Sequence, residues 1–224
     1  MVLQVIAKIL LILFLLAAPF LLYGFGGELL KIIAQISLKD LRWTAFTIGF
    51  VVFLPFHFLA KRLFSSVWNY LQTLEHELTH LLVGLVFLKI PVGIRVSAHS
   101  GGEVRQIGFG AIGQTWISLA PYFFPTVSIF VVVLAYFIGA NSRIMPGLLG
   151  FSTAFHLVTN WAETSFRQTD LQKAGLVKTI LILPVMNTIC YGSILAFVVG
   201  GDKGFGAFWF EGVSSSLKLF GRLF

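Results

Sequence analysis

Apolar runs long enough to cross a bilayer recur along the chain and are separated by short polar breaks. They predict six spans at about 5–24, 43–60, 66–88, 113–139, 147–169 and 176–200. Between the first two, Glu28 to Arg42 mixes Lys31, Lys39, Asp40 and Arg42 with apolar residues and reads as an interfacial connector. Lys61-Arg62 closes the second span, and Trp68 and Tyr70 suit an aromatic belt at the start of the third. The tail, 205–224, interleaves Phe208, Trp209, Phe210 and Phe220 with Glu211, Lys218 and Arg222, as a segment lying on the membrane surface would.

Two stretches depart from the helical pattern. Residues 90–108 alternate apolar and polar through Ile94 and Val96 and again around Val104, with His99-Ser100-Gly101-Gly102 as a turn, so they predict a β-hairpin. A strand edge is not tolerated in lipid, so this hairpin needs cover from protein or water. Pro121 and Pro125 fall inside the fourth span and predict a kink.

Composition then fixes the class. The 224 residues are 57% apolar and 11% charged, where a soluble domain carries about 25% charge, and mean hydropathy is +0.91. The expected fold is an all-α polytopic membrane protein with a short β-hairpin, one unit over 1–224 with neither repeat nor separate soluble domain. The first run, with its lone Lys8, lacks a convincing cleavage site and reads as a retained span, not a secretory signal. The net charge of +7 is scattered, with no basic block, which suits loops facing anionic lipid headgroups and argues against a nucleic-acid footprint. The single cysteine, Cys190, leaves no disulfide within the chain and no thiolate zinc cluster.

The chemistry concentrates in the third span, where His76-Glu77-Leu78-Thr79-His80 spells HExxH. Helical positions i and i+4 share a face, so two imidazoles there can grip one Zn2+ while Glu77 serves as general base towards water. Ionisable groups in a membrane helix are costly, which favours a functional reading over a pair of ordinary interior histidines. A catalytic zinc wants a third protein ligand, and the downstream candidates are His99, Glu103, His156, Glu163 and Asp170. If one helix runs through them, His156, Asn160, Glu163, Arg167 and Asp170 share a face, a polar stripe that must look into the bundle or a wet cavity.

An HExxH on a membrane helix, a Gly-Gly hairpin after it and a late Asn…Asp pair together resemble the site-2-protease group of intramembrane zinc proteases, closest to its compact bacterial branch without PDZ or CBS domains. The resemblance covers roughly 66–175. It implies Asp170 as third zinc ligand, ahead of Glu163 and His156, and Asn160 as a group holding substrate or the developing oxyanion near the metal. It also implies a multi-pass protein of the bacterial cytoplasmic membrane whose substrates are transmembrane or signal-anchor proteins.

The resulting expectation is a zinc metalloendopeptidase with Glu77 as catalytic base. The hairpin, through Val96, Gly101, Gly102 and Val104, would pair with an unwound substrate strand. Two other classes compete with it: a catalytically inactive relative that binds membrane segments, and a metal or proton transporter whose His, Glu and Asp line a pathway.

Overall fold

The computed structural model describes residues 2–37, 39–98, 101–108, 112–138, 144–165 and 168–223; the side chain of Glu163 lies outside that description. The chain is mostly helical, with one small sheet. The long elements are α1 (Val2–Ala34), α2 (Leu41–Leu63) and α3 (Ser65–Val86), followed by β1 (Ile90–Ser97) and β2 (Gly101–Ile107). Then come α4 (Gln114–Leu119), a 3-10 turn (Ala120–Tyr122), α5 (Thr126–Ile138), α6 (Ile144–Glu163), α7 (Thr169–Ala174) and α8 (Leu176–Leu223).

Three helices, α1, α2 and α8, are long and apolar enough to cross a membrane, and the α4–α5 pair makes a fourth if it is one broken span. Helices α3 and α6, of 22 and 20 residues, are not among these candidates; α3 carries the HExxH residues and α6 carries His156 and Asn160. The outer surface is itself a bilayer signature. Only 6% of the most apolar window of α1 is buried, and Leu10, Leu16, Leu30 and Phe58 are all more than 60% exposed. In water, apolar exposure on this scale would drive association; hydrocarbon solvates it.

The two prolines do more than kink the fourth span. Pro121 enters a 3-10 turn, Pro125 precedes α5, and the two helical pieces meet at 82°. Proline cannot supply the N–H that a continuous helix needs at either point. The 205–224 segment, expected at the membrane surface, is helical through Leu223 and turns back at Gly201, whose φ of 59° and ψ of −142° interrupt α8. The returning arm lies along the outgoing one, with Trp209 Nε1 donating to Ser193 Oγ at 3.0 Å. It also packs on α1, where Phe25 meets Phe208 and Trp209 at ring separations of 5.3 and 5.4 Å.

Glycine sets the closest helix contact. A Cβ on Gly49 of α2 would run into the Gly147 carbonyl of α6, and one on Gly150 into the Phe46 carbonyl. Small residues let membrane helices approach to backbone contact, which is where dispersion becomes appreciable.

The expected hairpin forms. β1 and β2 pair antiparallel, Ile94 opposite Val104 and Val96 opposite Gly102, with an irregularity between Pro91 and Gly93. The turn residues His99 and Ser100 lie outside the described residues. What aims the hairpin is the end of α3. Leu88 adopts a φ of 57° and the Lys89 N–H returns to the Gly84 carbonyl at 2.9 Å, a helix stop in which a leucine holds the left-handed position usually given to glycine.

Candidate metal centre

α3 places His76 and His80 one turn apart, their rings 4.9 Å centre to centre and nearly perpendicular. Asp170 arrives from α7. That helix is only six residues long, so its position comes from docking: Leu171 and Ala174 are buried against Leu119, Ala120 and Tyr122. With Leu171 anchored, the preceding Asp170 faces α3. Its Oδ2 lies 3.2 Å from His80 Nε2 and 3.5 Å from His76 Nε2. One donor atom from each of the three lies within 4.8 Å of the others, an arrangement that could hold a metal ion.

The polar stripe does not continue as one helix. α6 ends at Glu163 and α7 begins at Thr169. The Thr164 hydroxyl returns to the Asn160 carbonyl at 2.7 Å, and Gln168 is extended, with ψ at 130°. Such side-chain-to-backbone bonds compete with helix continuation, and the break lets Asp170 face α3. Arg167 lies outside the described residues, as does the Glu163 side chain.

His80 is oriented from behind. Its Nδ1 lies 2.7 Å from the Ile117 carbonyl, which can only accept, so Nδ1 carries the proton. Its Nε2 faces the Asp170 carboxylate, and a hydrogen-bonded Nδ1–H is how metal-binding histidines are commonly held. Tyr122 packs edge-on to the His76 ring at 5.7 Å.

Glu77 is buried at 5% exposure, under the hairpin. The Val104 N–H donates to its carboxylate, and Gly102 lies so close that a Cβ there would meet the Glu77 side chain. Because the Val104 N–H points to Glu77, the edge of β2 away from β1 looks towards the site. Gln106 fastens this strand to α3, its amide donating to the His80 and Leu81 carbonyls at 3.3 and 3.2 Å, in the space that Gly84 leaves.

His156 stands elsewhere. It is 1% exposed, with Nδ1 2.6 Å from the Tyr191 hydroxyl and Nε2 3.1 Å from the Pro121 carbonyl. Both ring nitrogens are thereby occupied, and it is not in the metal-holding group found among the described residues. Asn160 lies 3.3 Å from His156 Nε2 and also bonds Tyr191, so it belongs to this neighbouring network. The network touches the metal centre through Pro121, whose neighbour Tyr122 packs on His76.

Ile117, Tyr122, Gln106 and Tyr191 carry no motif that marks them in the sequence. Ile117 acts through its backbone and leaves no signal. Gln106 was findable, as a polar residue two positions after Val104 in a strand that had to lie on α3. No protein-family model matches the chain, and no curated protein or solved structure matches it.

Proposed function

We propose that the protein is an intramembrane zinc endopeptidase in which His76, His80 and Asp170 hold the metal and Glu77 is the base. One observation carries the reading. Donors about 2.0–2.1 Å from a tetrahedral zinc lie roughly 3.3 Å from one another, and Asp170 Oδ2 lies 3.2 and 3.5 Å from the two imidazole nitrogens. A carboxylate and two imidazoles suit zinc, and the open fourth position is what separates a catalytic site from a structural one.

When bound, zinc supplies Lewis-acid activation, lowering the pKa of water towards ~7 and polarising the scissile carbonyl. Glu77 takes a proton from the attacking water and delivers it to the leaving amine as the C–N bond breaks. Val104 holds the Glu77 carboxylate by its N–H, so the base is aimed before substrate arrives. Asp170 contributes the negative charge that partly neutralises the metal, and Ile117 keeps His80 in the ligating tautomer. Asn160, bonded to His156 and Tyr191, reaches substrate only by exchanging one of those bonds.

In this reading α3 and α6 complete six spans of a multi-pass protein of the bacterial cytoplasmic membrane, and their polar positions face the protein interior. The substrate is a membrane-spanning or signal-anchor segment. Its helical hydrogen bonds shield the scissile bond, and the hairpin beside the site offers replacement backbone bonds to an unwound strand. The direct test is Glu77→Gln in purified protein with a reporter transmembrane peptide. Retained zinc with lost cleavage supports a protease; no cleavage by the wild type, together with metal flux altered by the variant, supports transport instead.

A further inference from the structure

A groove of about 620 Å³ opens where α1 begins, α3 ends and α8 begins. Its walls are apolar: Leu3, Leu10 and Leu11 from α1, Phe87 from the end of α3 and Trp116 from α4. Three cations line the same groove, Lys8, Lys173 and Lys178, each from a different helix, and no acidic residue lines it among the described residues. In a bilayer these helix termini would stand at a membrane edge, with the lysines at headgroup depth and α1 running inward from Lys8 through Leu10, Leu11 and Leu13.

We infer that this groove binds an anionic phospholipid, its phosphate held by Lys8 and Lys178 and an acyl chain laid along Leu10 and Leu11, the groove-lining residues inward of Lys8, and the exposed Leu13 beyond them. Charge complementarity selects the headgroup, because Lys8 and Lys178 line one groove with no carboxylate among its described lining residues. The apolar wall selects an amphiphile over free phosphate: Leu10 and Leu13, three apart on one helix face, are 61 and 55% exposed. Basic pockets between membrane helices bind anionic headgroups for these same reasons. Lys173 differs from the other two in lying 3.4 Å from Asp170 Oδ1, so the groove abuts the metal centre without sharing a ligand with it. The inference needs only the membrane setting and does not rest on the protease reading.

The test places the full-length protein in nanodiscs of equal phosphatidylglycerol and phosphatidylcholine, then counts retained lipids by native mass spectrometry after release into detergent. The wild type is expected to keep one phosphatidylglycerol in preference to phosphatidylcholine. In Lys8→Gln/Lys178→Gln that preference falls roughly fivefold for each lysine removed, with helical circular dichroism and metal content unchanged. Free inorganic phosphate is expected not to displace the lipid. Equal retention of both lipids, an unchanged preference in the double variant, or displacement of the lipid by a single-span peptide would overturn the assignment, the last by giving the groove to substrate.

Discussion

His80 Nε2 lies 3.2 Å from Asp170 Oδ2 across 90 residues of sequence, and the opposite ring nitrogen of the same histidine is held by the Ile117 carbonyl at 2.7 Å. The first contact brings a carboxylate to the HExxH face; the second sets which imidazole atom meets it.

Removing the carboxylate should therefore be more damaging than removing an outer partner. Asp170→Ala is expected to weaken zinc binding by more than the ~10–100-fold typical of losing an outer hydrogen bond. Metal titration by competition with a chromogenic chelator measures this directly.

His156 gives the complementary outcome. His156→Phe should leave zinc stoichiometry unchanged and lower thermal stability by about 1–3 kcal/mol, because the Tyr191 hydroxyl and the Pro121 carbonyl lose a buried partner. A variant that loses its zinc while remaining folded would make His156 a ligand.

Gly102→Val forces a side chain into the space occupied by Glu77. The expected result is a fall in kcat for the reporter peptide of about 10²-fold or more, the contribution of a general base, with zinc retained. Val104→Pro removes the N–H that Glu77 accepts and should act in the same direction. Full activity in both would separate the hairpin from catalysis.

Gly150→Leu drives a side chain into the Phe46 carbonyl across the α2–α6 contact. Overpacking there should destabilise the protein by roughly 1–3 kcal/mol, measured as a lower Tm in detergent, with the α3 ligands untouched.

Much of this arrangement is legible in the sequence because it follows short periods. Four residues from His76 to His80 put both rings on one helix face, and alternation through Ile94, Val96 and Val104 requires a strand. Asp170 could be ranked ahead of the other candidates only through a resemblance, because its position depends on α6 ending at Glu163, on α7 starting afresh at Thr169 and on Leu171 docking into a core built by α4 and α8. Helical periodicity extends one face from His156 to Asp170, whereas the structure divides these residues between α6 and α7. The reversal at Gly201 did have a local signal in Gly200-Gly201-Asp202, a turn sequence interrupting the apolar pattern. The aromatic-rich residues beyond it suggested a surface helix; what packs them inward is contact with Phe20 and Phe25, most of a chain length away.

Whether His76, His80 and Asp170 jointly hold one zinc is decided by zinc-edge X-ray absorption on purified wild type alongside metal counts for His80→Ala and Asp170→Ala. The expected result is one zinc per chain with two imidazole nitrogens and carboxylate oxygen in its shell, and loss of that zinc in both variants. A full complement of zinc in folded Asp170→Ala, or no zinc in the wild type, would contradict it.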